Sequence, residues 1–194
     1  MKRSKKYTVA FALVAVSSLS GRAFAQDGAA SAVGGDAALV FPIGDWSDAT
    51  GIMLGPLFRF EHALSPQLLV TGRVGYLYGL RKSTTVLGVK TEYGISDIPL
   101  WGGVEYYLGE RADGLYLGGE AGLNFLSFTV ETEGDPMFGS MSGSSSETDL
   151  GLNAGAGYRM GDLDLRGSLC IFDLGHAGDS MGLMASVGYN FAKF

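Results

Sequence analysis

Leu183-Met184-Ala185-Ser186-Val187-Gly188-Tyr189-Asn190-Phe191-Ala192-Lys193-Phe194 closes the chain, and its alternation decides the fold. Leu183, Ala185, Val187, Tyr189 and Phe191 form one series; Met184, Ser186, Gly188 and Asn190 form the other. Successive side chains of a strand point to opposite faces, so the segment has one apolar face and one small or polar face. Such a period of two, running into terminal aromatics, is expected where hydrocarbon meets one side and a packed polar interior the other.

The same rhythm recurs upstream. Turn signals divide the chain after residue 25 into eight predicted strands, about 36–44, 51–62, 67–80, 95–108, 114–128, 149–160, 163–174 and 180–193. Each meets or approaches the roughly 9–11 tilted residues a transmembrane strand needs. In the seventh, Leu163, Leu165, Gly167, Leu169 and Ile171 oppose Asp164, Arg166, Ser168, Cys170 and Phe172. The first is the shortest and carries Pro42, which belongs near a strand end. The connections at 63–66, 110–113 and 161–162 are tight, whereas those near 45–50, 81–94, 129–148 and 175–179 are mostly longer and polar. Short periplasmic turns and longer outer loops are the arrangement of bacterial outer-membrane barrels, and an even strand count puts both termini in the periplasm. The fold class expected is therefore all-β: an eight-stranded antiparallel up-and-down transmembrane β-barrel. A lipocalin-like soluble barrel also has eight strands. It would require abundant charge on the face that is here mainly Gly, Ser and Asn.

Residues 1–25 read differently. Lys2, Arg3, Lys5 and Lys6 precede an apolar stretch from Tyr7 to Leu19, and Ala23-Phe24-Ala25 is a small-x-small site before Gln26. That pattern is a cleaved signal peptide, leaving 26–194 as the barrel domain. Its removal takes five of the fourteen basic residues and none of the twenty acidic ones, for a net charge of −11. So acidic a chain argues against nucleic acid as a partner. The thirty glycines left after Gly21 departs would each cost about 1 kcal/mol in a helix, but suit the close backbone approaches of a small barrel. The single Cys170 can form no internal disulfide.

With the apolar parity outward, large aromatics fall at strand ends. Phe60, Tyr106, Tyr158, Tyr189 and Phe191 lie toward one rim, and Phe41, Tyr76, Tyr78 and Phe125 toward the other. Two aromatic belts are expected at the two membrane interfaces; Trp101 is the exception, with inward parity. The inward face carries Arg59, Arg73, Arg159 and Arg166 with Glu61, Glu105, Glu120 and Asp164, four of each sign. Eight strands enclose a space just wide enough for side chains to fill, so a plugged lumen held by a structural charge network is expected. A conducting path is the alternative.

On the signal peptide, the strand rhythm, the segment Ser96-Asp97-Ile98-Pro99-Leu100-Trp101-Gly102-Gly103-Val104-Glu105-Tyr106-Tyr107 and the aromatic last strand, the chain resembles the small outer-membrane β-barrel superfamily. That eight-stranded class includes OmpX and the membrane domain of OmpA. The resemblance implies an integral outer-membrane protein, inserted by machinery that reads the final strand through Tyr189 and either Phe191 or Phe194. It implies lipid and lipopolysaccharide as surroundings, and a monomer. Some relatives modify lipid A, which needs a His activated beside a Ser and a carboxylate. The two histidines are His62, at a tight turn beside Glu61, and His176, in an outer loop near Asp173, Asp179 and Ser180. Neighbouring sequence does not establish such geometry, and a polar loop is the simpler reading, so no catalytic residue is assigned and the protein is expected not to be an enzyme. The loop at 129–148, with Asp149 at its edge, holds Glu131, Glu133, Asp135 and Glu147 around a Gly/Ser run without calcium-loop spacing. It is expected to be mobile and solvated, with a cation-bridged or adhesive contact as the alternative. Neither a metal nor a cofactor is expected. The function expected is a structural or surface-interaction role through the outer loops, with a narrow porin or transporter for small or apolar solutes as the alternative.

Overall fold

A computed structural model of the chain describes residues 31–86, 89–135 and 139–194. The expected signal peptide, and its boundary at Gln26, lie outside the described residues. Ten strands are present among them: β1 (Ser31–Pro42), β2 (Met53–Ala63), β3 (Leu68–Gly75), β4 (Leu77–Gly79), β5 (Lys82–Val86), β6 (Val89–Tyr107), β7 (Gly114–Asp135), β8 (Gly139–Met160), β9 (Leu163–Ile171) and β10 (Met181–Lys193). β3 and β4 form one wall strand, interrupted only at Tyr76, and β5 pairs with the far part of β6. Eight wall strands remain, each antiparallel to its sequence neighbours. The ring closes where β1 pairs with both β2 and β10. This is the eight-stranded antiparallel up-and-down barrel expected. Short connections force the order, because consecutive strands joined by a few residues must be antiparallel neighbours. At the tightest turn, Gly161 has φ +64°, a left-handed conformation that glycine adopts without steric cost.

Ser31, where the described residues begin, Phe194 and the tight turns share one rim, the terminal end. There Ser31 and Phe194 exchange backbone hydrogen bonds of 2.8 and 2.9 Å, and Lys193 Nζ lies 2.6 Å from Asp162. The opposite rim, the hairpin end, departs from expectation. The described residues of 129–148 are not an open loop: β7 and β8 continue past the wall as a paired ribbon, with Val130 opposite Gly143 and Thr132 opposite Met141. Residues 82–86 of β5 likewise pair with 89–93 of β6, with Thr84 opposite Thr91. Once two strands are paired, extending the ladder adds hydrogen bonds without the cost of bringing two distant segments together anew. Thr84, Thr85, Thr91, Thr129, Val130 and Thr132 also favour extended backbone. The Gly/Ser run is thus carried by its partner strand. Short helical turns cap the remaining connections, α1 (Trp46–Ala49) and a 3-10 turn at Leu174–Asp179. The first strand begins five residues earlier than expected and the seventh ends three residues sooner.

The faces sort as the parity predicts. Phe60, Tyr106, Tyr158, Tyr189 and Phe191 are exposed toward the terminal end, and Phe41, Tyr76, Tyr78 and Phe125 toward the hairpin end, while Trp101 is buried inside. Leu, Val and Ala dominate the outer wall between them, with Leu39, Val74, Leu100, Leu117, Leu152, Leu165 and Val187 all exposed. An apolar band flanked by aromatics suits hydrocarbon, where a closed sheet leaves no unpaired edge.

The lumen is filled in three tiers. Tyr107, Tyr116 and Leu69 pack together at the terminal end. A charged tier follows. Above it, toward the hairpin end, an apolar cluster includes Val40, Trp46, Met53, Leu57, Leu77, Trp101, Leu126 and Phe172. Arginines cover the ring faces at both boundaries. The Arg159 guanidinium lies 5.5 Å from the Tyr107 ring, and that of Arg73 5.4 Å from Trp101, within the range of cation–π attraction.

Candidate functional site: the charged ring and the mouth above it

All eight charges predicted to point inward are buried, and they meet in one network. Arg159 makes a two-pronged pair with Glu61 and reaches Asp164 at 2.7 Å and Glu105 at 3.4 Å. Arg166 bridges Glu105 (3.5 Å) and Glu120 (3.1 Å). Arg73 grips Glu120 with two nitrogens, Nε at 2.8 Å. Arg59 binds Glu61 at 2.9 Å and Asp164 at 3.3 Å. Asp36, which the sequence reading did not place, closes the circle: it lies 2.6 Å from Arg59 and 3.6 Å from Arg73. Positive and negative groups therefore alternate around the whole lumen. Neutral donors add further hydrogen bonds, with Tyr116 donating to Asp164 at 2.7 Å, Tyr107 to Glu105 at 3.2 Å and Asn190 to Glu61 at 3.2 Å. Buried charges are tolerated when paired and hydrogen-bonded in this way.

Backbone room matters as much as charge. Gly188 lies against Asp36 and Arg59, and a Cβ there would sit 2.6 Å from the Arg59 Nη1 atom. Gly157 faces the Tyr116 ring, which a side chain would overlap. Glycine at these inward positions makes space for the long arginines and the tyrosine floor. Glu61, Glu105 and Asp164 bring oxygens within 4.8 Å of one another; the guanidinium of Arg159 sits against all three and supplies their positive charge. Asp97 is also fully buried, but at the level of the apolar tier, with no arginine paired to it among the described residues. Its inward parity is shared with Trp101 and Glu105, so the sequence held the signal. Six inward carboxyl groups thus face four guanidinium groups.

Among the described residues, neither histidine joins a serine hydroxyl and a carboxylate in one hydrogen-bonded relay. His62 Nδ1 is 2.9 Å from Ser31 Oγ at the terminal end. At the hairpin end, His176 Nδ1 lies 2.7 Å from Asp173 Oδ2. The Ser180 hydroxyl, however, is taken up by the backbone: it accepts from Asp173 N at 3.0 Å and lies 2.9 and 3.1 Å from the carbonyls of Asp173 and His176. Hydrogen bonding and charge from Asp173 raise the His176 pKa above the usual imidazole value. On the last strand, Tyr189 and Phe191 point outward with ring centres 6.1 Å apart, and both Phe191 and Phe194 are exposed.

Above the apolar tier, the hairpin end opens into a cleft of about 270 Å³. Trp46 and Phe172, with ring centres 4.7 Å apart, are among its lining residues, as are Phe128 and Val130 of β7. Glu147 and Asp149 of β8 line it together with Asp173, Asp179 and His176. The sequence reading missed this mouth, because its walls come from α1, three strands and the last connection.

No family model and no curated protein matches the sequence. Among solved structures, Ail, the attachment invasion locus protein of Yersinia pestis, is similar over 83% of this chain and 96% of its own, at 16% identity and TM-score 0.50. Neisserial surface protein A aligns over 85% and 100% at 14% identity and TM-score 0.48. The N-terminal β-barrel domain of Pseudomonas aeruginosa OprF aligns over 84% and 99% at 16% identity and TM-score 0.47. At such identity the similarity is one of fold, and the fold of this chain is that of the small eight-stranded outer-membrane β-barrels.

Proposed function

We propose that the protein is an integral outer-membrane barrel, not an enzyme, whose lumen is a structural filling and whose working surface is the hairpin end, raised outside the cell. The observation that carries this reading is the three-tier lumen: a tyrosine floor, a closed ring of ion pairs and an apolar ceiling leave the interior occupied by side chains. A filled interior favours a surface role over a narrow pore. The two ribbons β5–β6 and β7–β8, which continue beyond the wall, supply that surface. Ail, an attachment protein of the same fold, is a precedent for such a role. On this reading the termini are periplasmic, residues 1–25 are the cleaved signal, the final strand is read during insertion through Tyr189 and Phe191 or Phe194, and the monomer sits among lipid and lipopolysaccharide.

Two measurements test it. An epitope placed at Ser144-Ser145-Ser146 should be cut by protease added to intact cells, while one at Asp162 is spared; the reverse pattern inverts the topology. In planar bilayers the purified protein should give no reproducible steps of current. Steady channels would overturn the filled-lumen reading and favour the pore.

A further inference from the structure

We propose that the cleft at the hairpin end binds an organic cation with an apolar body, such as an aryl-alkyl ammonium or a basic aromatic portion of a peptide. The walls give the first half of the argument. Tyr93, Phe128 and Val130 offer apolar and aromatic surface around a cavity of about 270 Å³, room for a single ring and its head group, with Trp46 and Phe172, both buried, packed together behind that surface. Small-ligand sites are concave and mostly apolar, with a few polar groups that fix orientation.

The rim gives the second half. Glu147, Asp149, Asp173 and Asp179 all line the cleft, and the only basic group among the lining residues, His176, is already held against Asp173. Asp149 keeps a buried oxygen, Oδ2, that has no hydrogen-bond partner in the described structure. The nearby cations are otherwise engaged: Arg81 binds Glu131 at 2.7 Å and Glu92 at 3.5 Å, and Lys82 binds the Ser47 carbonyl. An anionic rim over partly aromatic walls is complementary to a positive head on an apolar body, and the exposed Tyr93 ring is open to cation–π attraction. A neutral apolar ligand would bury carboxylates without compensation, and an anion would be repelled.

The inference rests on the proposed function only in placing the cleft outside the cell. It is tested on the full folded chain in zwitterionic detergent micelles, where membrane topology plays no part. Phenethyltrimethylammonium, 2-phenylethanol and phenylacetate share a ring and differ in charge. Calorimetry together with tryptophan emission should show saturable binding of the cation, with the alcohol at least tenfold weaker and phenylacetate unbound. Glu147→Gln, on an exposed side chain that folding does not need, should weaken the cation about threefold, and Glu147→Gln with Asp149→Asn about tenfold. Trp46→Phe should abolish most of the emission change. Equal affinity for cation and alcohol, or no saturable binding of the cation, overturns the proposal and leaves the surface role untouched.

Discussion

Replacing Arg159 by Met tests the ring most directly, because it removes the charge while keeping much of the volume. In the native lumen this guanidinium meets Glu61, Asp164 and Glu105 and covers the Tyr107 ring. Breaking a buried ion pair from one side costs about 3–5 kcal/mol. The abandoned carboxylates are not left bare: Glu61 keeps Arg59 and Asn190, Asp164 keeps Arg59 and Tyr116, and Glu105 keeps Arg166 and Tyr107. The loss should therefore lie at the low end, about 3 kcal/mol, which for a chain of this size lowers the melting temperature by about 6–12 °C. Urea unfolding in lipid vesicles, followed by tryptophan emission, measures it. Adding Glu61→Gln removes one of the carboxylates that lost a partner, so the double variant should recover about 1 kcal/mol relative to additivity. Should Arg159→Met unfold within about 0.5 kcal/mol of the parent, a change typical of surface positions, the ring would be a packing accident and not a stabilising device.

Two further outcomes are expected. Arginine at Val187, midway along the outer wall, should cost about 2–4 kcal/mol in vesicles, but at Leu163, beside the 161–162 turn, only about 0–1 kcal/mol; equal costs would mean that no hydrocarbon surrounds the wall. In an NMR titration, His176 should titrate above the ordinary imidazole value of 6.5, and Asp173→Asn should bring it back down. Its partner raises the folded value, so the contact's contribution is complete below the ordinary value and fades as pH climbs through the raised one.

The wall was legible in the sequence because strand parity is a local property. Leu163 through Ile171 alternate without a break, and the eight inward charges stood out against the Gly, Ser and Asn around them. Where both faces are apolar, the inner ceiling and the outer band look alike in one dimension, and Met53, Leu57 and Leu77 are placed inward only by sharing the phase of Arg59, Glu61 and Arg73. Asp36 was lost because the first strand was started on it, which left it no preceding residues to define a face. With the strand begun at Ser31, Ala32, Gly34, Asp36, Ala38 and Val40 fall in one buried series. The Gly139–Ser146 half of the long ribbon carries no strand signal of its own, since its order comes from hydrogen bonds to β7. The cleft depends on which loops meet across the mouth, and no single segment encodes that.

The seam between the first and last strands has a consequence for how the molecule is made. Ser31 and Phe194 sit side by side although nearly the whole chain separates them. Contacts of such separation carry the largest loop-closure entropy and come slowly. Until the C-terminal strand arrives, the nascent sheet keeps two open borders able to recruit a neighbouring polypeptide. A truncation that removes only the last dozen residues would therefore delete the closing stave and leave a sticky, unsealed ribbon, rather than a slightly smaller barrel.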